Sequence, residues 1–197
     1  MQKIILGICS LVLFVALLWS CEQRSASAAS VPATVSNDSL IKRGAYLVSI
    51  VGCDDCHSPK AMGPQGPEII QELRLSGFQA GRQLPVVSNE AVQAGWALMV
   101  PDITAAVGPW GTSYAANITS DETGIGNWTE AQFMKAMKEG KWKGMDGNRM
   151  LMPPMPWQNF SRMDDHDLKS IFAFLKSTKP VKNVVPNSIP AGPPPAK

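Results

Sequence analysis

The sequence predicts an all-α domain in which helices surround one core and long loops connect them. Three segments carry apolar residues at helical spacing, whereas residues 58–128 are broken by Pro and Gly and show no sustained period. The chain has 197 residues, of which 45% are hydrophobic and 17% charged, enough for one domain with a core. Its net charge of +2 is far from the strongly basic balance of nucleic-acid binders, so we expect no nucleic-acid partner.

The first 20 residues have the features of an export signal. Residues 4–19 form an apolar run that follows Lys3 and stops before polar residues. A membrane-spanning helix needs about 20 apolar residues, so an uncleaved anchor is the less favoured alternative. We therefore assign residues 1–20 to a signal peptide and expect an exported protein.

The end of this segment contains a candidate lipidation motif. Residues 18–21 resemble the lipobox of bacterial lipoproteins, in which the cysteine, here Cys21, is acylated. Trp19 departs from the small residue usual there, and the alternative is ordinary cleavage near residues 26–28. The resemblance implies lipidation at Cys21, which would hold the protein to a membrane in the periplasm or on the outer face. Residues 21–36 would then form a flexible tether.

The folded domain is predicted to begin with a helix. Apolar or small residues recur at helical spacing from Leu40 to Val51, and residues 36–39 offer several N-caps. We place the domain at residues 37–182 and regard residues 183–197 as a Pro-rich tail.

The main chemical signal follows this helix. Cys53-Asp54-Asp55-Cys56-His57 is the C-x-x-C-H attachment pattern of c-type haem. On one helical turn the two thiols share a face, so both can add to the vinyl groups on one edge of a porphyrin. The same turn aims His57 at the iron. The single motif therefore predicts one covalently attached haem c, bound through Cys53 and Cys56, with His57 as proximal ligand.

Three alternatives compete for the same residues. A thioredoxin-like dithiol would need a βαβ context, and the sequence shows none. A structural zinc site would need a fourth ligand, so His166 would have to arrive from a distant helix. The third alternative is a chance match to the pattern.

Two further helices are expected after the loops and hairpin of residues 58–128. Thr129 and Gln132 form a capping-box signature that opens the first of them, and Gly140 ends it. Asp164 is placed to cap the second, whose apolar stripe at residues 168–175 should face the core.

A low-spin electron-transfer haem needs a second iron ligand besides His57, and cytochromes c commonly use Met. Among ten methionines, Met152 and Met155 lie in a loop between prolines, which fix φ and stiffen the backbone. Residue type and spacing leave Met62, Met99 and His166 open as alternatives.

Taken together, residues 40–180 resemble a class I cytochrome c. Residues 117–129, the Met155–Trp157 triplet and the residues that follow are similar to the cytochrome domains of bacterial dehydrogenase-associated subunits. The resemblance implies the class I cytochrome c fold, with a long loop-rich insertion between the haem-attachment motif and the Met-ligand loop. It also implies Met155 as the sixth ligand and a crossing of the first helix over the last. The crossing residues would be Gly44, Tyr46, Phe172, Phe174 and Leu175.

The function that follows is that of a membrane-tethered, single-haem electron carrier, not an enzyme. Its partners would be redox proteins, such as a dehydrogenase or a terminal oxidase. One alternative is a haem enzyme or gas sensor with an open sixth site, and another is a permanent electron-transfer subunit of a dehydrogenase complex.

Charge is unevenly distributed along the chain. Residues 83–134 hold five acids and no base, whereas residues 135–182 hold ten bases and five acids. A basic face around the haem edge would steer acidic redox partners, and the alternative is an ordinary solvated surface.

Overall fold

The structure, a computed structural model, describes residues 36–191. The predicted signal peptide, Cys21 and most of the tether lie outside the described residues. Within residues 36–191, every helix is too short or too polar to cross a membrane.

Helices form most of the core. The α-helices of the described part are α1 (Asn37–Ile50), α2 (Cys53–His57), α3 (Asn89–Gln93), α4 (Glu130–Glu139), α5 (Trp157–Phe160) and α6 (Asp165–Ser177). Short 3₁₀ turns lie at Gln71–Leu73 and Trp142–Gly144.

Two antiparallel sheets accompany the helices, so the all-α prediction is wrong. One sheet is the hairpin of β1 (Lys60–Gly63) and β2 (Gly66–Ile69). The other has the order β3-β4-β5-β6. Its strands are β3 (Leu98–Met99), β4 (Ala105–Gly108), β5 (Gly111–Tyr114) and β6 (Ile189–Pro190).

The all-α prediction failed because the strands are short and because one of them pairs with a segment distant in the sequence. None of the described strands exceeds four residues, which is too short to establish an alternating pattern. The pairing of β6 with β5 joins Ile189 to Thr112, two residues that are far apart in the sequence, and no local pattern predicts such a partner. The insertion therefore holds the expected hairpin, β1-β2, and in addition strands β3, β4 and β5 of the larger sheet.

The first and last long helices cross closely, as predicted. A Cβ added at Gly44 would lie 1.9 Å from the backbone oxygen of Ser170 and 2.7 Å from Cβ of Phe174, so only glycine permits this approach. Arg43 donates to both carboxylate oxygens of Asp167 at 2.9 and 3.0 Å across the same crossing. Tyr46, expected in this contact, is 56% exposed and lies beside Arg43.

Helix α4 confirms its predicted boundaries. The Thr129 hydroxyl accepts from the Gln132 amide at 3.2 Å, and the Gln132 side chain accepts from the Thr129 amide at 2.9 Å. Gly140 ends the helix with φ of 67°. At α6, Asp164 occupies the N-cap position without a side-chain cap bond.

The core has a main cluster and a smaller one in the insertion. The main cluster combines residues of α1, α4, α5, α6 and loops: Leu47, Val48, Leu75, Ile125, Phe133, Met137, Phe160, Leu168, Ile171 and Leu175. The smaller cluster consists of Phe78, Val100 and Ala105. Cys53 and Met155 both pack against the main cluster, which brings the attachment turn and the Met loop to the same core.

Candidate haem site

The attachment motif forms a single helical turn. Helix α2 follows Gly52, whose φ of 77° is a left-handed conformation that glycine adopts without steric cost. Cys53 and Cys56 are three residues apart in this helix and therefore share one face. Both are free thiols.

The protonation state of these thiols helps to judge the two alternatives of dithiol exchange and zinc binding. Burial, with a smaller contribution from the charge of Asp54, raises the pKa of Cys53 to about 12. Burial also raises the pKa of Cys56. Dithiol exchange and zinc binding both need a thiolate, which this environment disfavours. Within residues 36–191, no group of three or more His, Cys, Asp or Glu side chains could hold a metal ion.

His57 is held through one ring nitrogen. Its Nδ1 lies 2.7 Å from the carbonyl oxygen of Ala116, and because a carbonyl only accepts, Nδ1 must carry the proton. Burial lowers the pKa of His57, outweighing the Ala116 hydrogen bond and the Asp54 charge, which raise it. The neutral ring therefore keeps an unprotonated Nε2. Metal-bound histidines are characteristically oriented by such a bond at the other nitrogen.

A half-buried ion pair anchors the attachment turn to the chain that follows it. Arg74 donates to the two carboxylate oxygens of Asp54 at 2.9 and 2.7 Å, and the Ser58 hydroxyl donates to the same group at 2.7 Å. The Leu75 amide in turn donates to Ser58 at 2.9 Å. Burial would raise the pKa of Asp54, but these hydrogen bonds and the charges of Arg74 and Lys60 outweigh it and lower the pKa.

The C-terminal end of α2 is capped by an ammonium group. Lys60 Nζ lies 3.3, 2.6 and 3.1 Å from the carbonyl oxygens of Asp54, Asp55 and Ser58. A fourth carbonyl, from Asp102 in the insertion, lies at 3.2 Å. A cation near the C-terminal end of a helix is favoured by the helix dipole. Neither Lys60 nor Arg74 was indicated by the sequence, because their partners are backbone atoms or distant side chains.

The candidate sixth ligands lie in different surroundings. Met155 is half-buried and packs on the main core. Met152 lies three residues earlier, and its carbonyl accepts from the Met155 amide at 3.2 Å. Met62 and Met99 are 77% and 49% exposed. The His166 side chain is 56% exposed, with Nδ1 3.8 Å from a carboxylate oxygen of Asp167.

These residues fit a covalently bound haem c. Two thiols on one helical face, a neutral imidazole with one anchored nitrogen, and a thioether on the same core are the groups that such a cofactor requires. Cys53, Cys56 and His57 would hold the attached edge and the iron, and Met155 is one of the methionines that pack on the same core.

Comparison with known proteins gives a consistent result. The family described as cytochrome c matches residues 41–179. The gluconate 2-dehydrogenase cytochrome c subunit of Pantoea cypripedii is 32% identical over 148 residues, 74% of this chain and 25% of that protein. The alcohol dehydrogenase (quinone) cytochrome c subunit of Gluconobacter oxydans is 31% identical over 148 residues, 74% of this chain and 23% of that protein.

A shorter match involves a different dehydrogenase. The fructose dehydrogenase cytochrome subunit of Gluconobacter japonicus is 43% identical over 75 residues, 37% of this chain and 15% of that protein. The chain thus covers a quarter or less of the length of each of these relatives.

Proposed function

Because the chain belongs to the cytochrome c family, whose members transfer electrons through covalently bound haem c, we propose that it carries one haem, attached at Cys53 and Cys56. The observation that carries the proposal is the C-x-x-C-H turn with the His57 Nδ1 bond to Ala116, 2.7 Å long. That bond leaves the opposite nitrogen as the only ring atom able to bind iron.

We propose that His57 and Met155 would bind the haem iron. When bound, the haem supplies one-electron chemistry, its iron alternating between the ferrous and ferric states. The chain holds the imidazole through Ala116 and packs the half-buried Met155 against the core. A thioether ligand raises the reduction potential, so this ligand pair suits an acceptor of electrons from an upstream dehydrogenase.

The partner in this proposal is a dehydrogenase. Similarity to cytochrome subunits of gluconate, alcohol and fructose dehydrogenases supports it. The chain then acts as a non-catalytic electron-transfer subunit or carrier that passes electrons on to a further redox protein, for example a terminal oxidase.

We also propose that the protein is exported and tethered by acylated Cys21. The apolar run before Cys21 and its lipobox-like end support this assignment. Two or more acyl chains are needed for stable anchoring, so Cys21→Ala should move the protein from the membrane to the soluble fraction of cells. A Cys9→Ala variant provides the control. Unchanged membrane association of Cys21→Ala would favour an uncleaved N-terminal anchor.

The attachment site is tested by removing both thiols. We expect the Cys53→Ala/Cys56→Ala variant to lose all haem stain on a denaturing gel, since no thioether can form at this motif. The Cys9→Ala variant should keep the full stain. Pigment that remains on the denatured double variant would place the attachment elsewhere.

A further inference from the structure

One segment of the insertion, strand β5 and the two residues after it, contacts both His57 and the loop that carries Met155. The Ser113 hydroxyl, on β5, donates to the carbonyl of Pro153 in the Met loop at 2.6 Å. Three residues later, the carbonyl of Ala116 accepts from His57 at 2.7 Å. A single short stretch of backbone is therefore bonded to the proximal histidine and to the loop that carries Met155.

The hydroxyl of Ser113 is itself held in one orientation. The side chain is buried, and its oxygen accepts from the Trp110 indole N–H at 3.3 Å. A second carbonyl, that of Ala106, is more distant at 3.4 Å. Because the hydroxyl has one proton and Pro153 is the nearer acceptor, the proton points to the Met loop.

Strand β5 fixes the backbone position of Ser113, which donates the hydrogen bond to Pro153. It is an inner strand of the four-stranded sheet, paired with β4 on one side and β6 on the other. Ser113 lies opposite Ala106 in this register. Movement of the Ser113 backbone away from the Met loop would therefore disturb its pairing with β4.

The Met loop has few polar groups of its own with which to hold a conformation. Pro153, Pro154 and Pro156 have no N–H groups. Within the loop, the Met155 amide donates to the Met152 carbonyl at 3.2 Å. The Pro153 carbonyl lies inside this turn segment, two residues before Met155, and Ser113 supplies its donor.

We infer that Ser113 is a positioning residue that holds the Met155 thioether at the iron, through the Pro153 carbonyl. The inference rests on the proposed function and deepens it, since it gives the inserted sheet a role in ligand retention. Loss of the hydrogen bond between Ser113 and Pro153 should let the Met loop move away from the iron more often. The sixth coordination position would then be open to another ligand more often.

The test is the rate at which imidazole displaces the native ligand from the ferric holoprotein. A neutral hydrogen bond of typical strength predicts a displacement roughly three- to tenfold faster in Ser113→Ala. Ser113→Thr retains a hydroxyl and should restore the wild-type rate. Ser170→Ala is the matched control, because Ser170 is also buried and donates to a backbone carbonyl, that of His166, at 2.8 Å.

Trp110→Phe provides a second variant if Ser113→Ala folds poorly. It removes the indole N–H that donates to the hydroxyl, together with one ring of the side chain, and leaves the Ser113 hydroxyl in place. It should therefore accelerate displacement by less than Ser113→Ala. Equal rates for wild type and Ser113→Ala, or equal acceleration in Ser170→Ala, would overturn the inference.

The near-infrared band of Met-ligated ferric haem separates this failure from failure of the proposed function. A wild-type protein without that band would show that Met155 is not the ligand, and the inference would fall with it. A wild-type band with unchanged Ser113→Ala kinetics would overturn the role of Ser113 alone.

Discussion

The two ring nitrogens of His57 have different surroundings, and this difference determines what the residue can do. Nδ1 is bonded to a carbonyl 59 residues further along the chain, while burial keeps the ring neutral by lowering its pKa. A neutral imidazole with a protonated Nδ1 offers its Nε2 lone pair to a metal. The backbone at Ala116 thus selects the tautomer that the proposed ligation requires.

At the same scale, the sixth ligand can be assigned by comparing two neighbouring methionines. Met155→Ala should erase the near-infrared band and lower the reduction potential, because the soft thioether favours ferrous iron. Met152→Ala should leave both nearly unchanged. The measurements are ferric absorbance and a redox titration of each holoprotein.

Two other results would move the assignment. Loss of the band in Met152→Ala alone would transfer the ligand to Met152, and a wild-type spectrum typical of two imidazoles would transfer it to His166. Rapid carbon monoxide binding to the wild-type ferrous protein would instead favour an enzyme or gas sensor with an open sixth site.

At the scale of elements, the crossing of α1 and α6 depends on one missing methyl group. The atom nearest to a Cβ at Gly44 would be the backbone oxygen of Ser170, at 1.9 Å, and a backbone atom inside a helix cannot move aside alone. The helices would have to separate, which would disturb the buried neighbours Leu47, Val48 and Ile171.

Overpacking usually costs about 1–3 kcal/mol, and a clash with a backbone oxygen at 1.9 Å belongs at the upper end of that range. After the gain of about 1 kcal/mol that Ala brings over Gly within a helix, we expect Gly44→Ala to lower the free energy of unfolding by about 1–2 kcal/mol. Ser49→Ala, at an exposed position of the same helix, should change stability by less than about 0.5 kcal/mol. Denaturant titration of both holoproteins measures the difference. A Gly44→Ala variant as stable as Ser49→Ala would show that the crossing can widen without cost.

At the scale of the whole molecule, the basic charge lies in the C-terminal half of the domain. The segment between α4 and the Met loop folds back on itself, with the Trp142 amide donating to the Arg149 carbonyl at 3.0 Å. Lys143 and Arg149 lie 4.6 and 4.8 Å from the centre of the Trp142 ring. Both side chains are exposed, so this segment presents cations beside the loop that carries Met155.

The charge arrangement predicts how the ferrous protein should react with small inorganic oxidants. Oxidation by the hexacyanoferrate(III) anion should slow as ionic strength rises, because salt screens attraction over about 10 Å at 0.1 M. Lys143→Glu/Arg149→Glu should slow this reaction at low salt and speed oxidation by a cationic cobalt(III) complex. Stopped-flow absorbance measures both rates.

The matched control for that experiment is Lys179→Glu/Lys182→Glu, which changes the charge equally beyond the end of α6. It should alter the rates less than the first pair. Oxidation rates that do not change with ionic strength would show that the basic segment does not steer reactants. An equal effect of the two double variants on these rates would show the same.

Features with partners a few residues apart were predictable from the sequence. The attachment turn, the capping box of α4 and the apolar stripe of α6 each depend on residues within one or two helical turns, because helical hydrogen bonds and side-chain contacts are local. The family resemblance added Gly44 and the crossing of α1 over α6. These features place the proposed haem on its attachment turn.

Contacts between distant segments required the tertiary structure. Four-stranded pairing brings Ile189 to Thr112, Arg74 reaches Asp54 across 20 residues, and Ser113 reaches Pro153 across 40. Strands of two to four residues carry no usable period, and a hydroxyl or guanidinium group finds such a partner only when remote backbone segments meet. The chain's local patterns therefore predict its chemistry, whereas the sheets, the ion pair at Asp54 and the support of the Met loop arise from long-range packing.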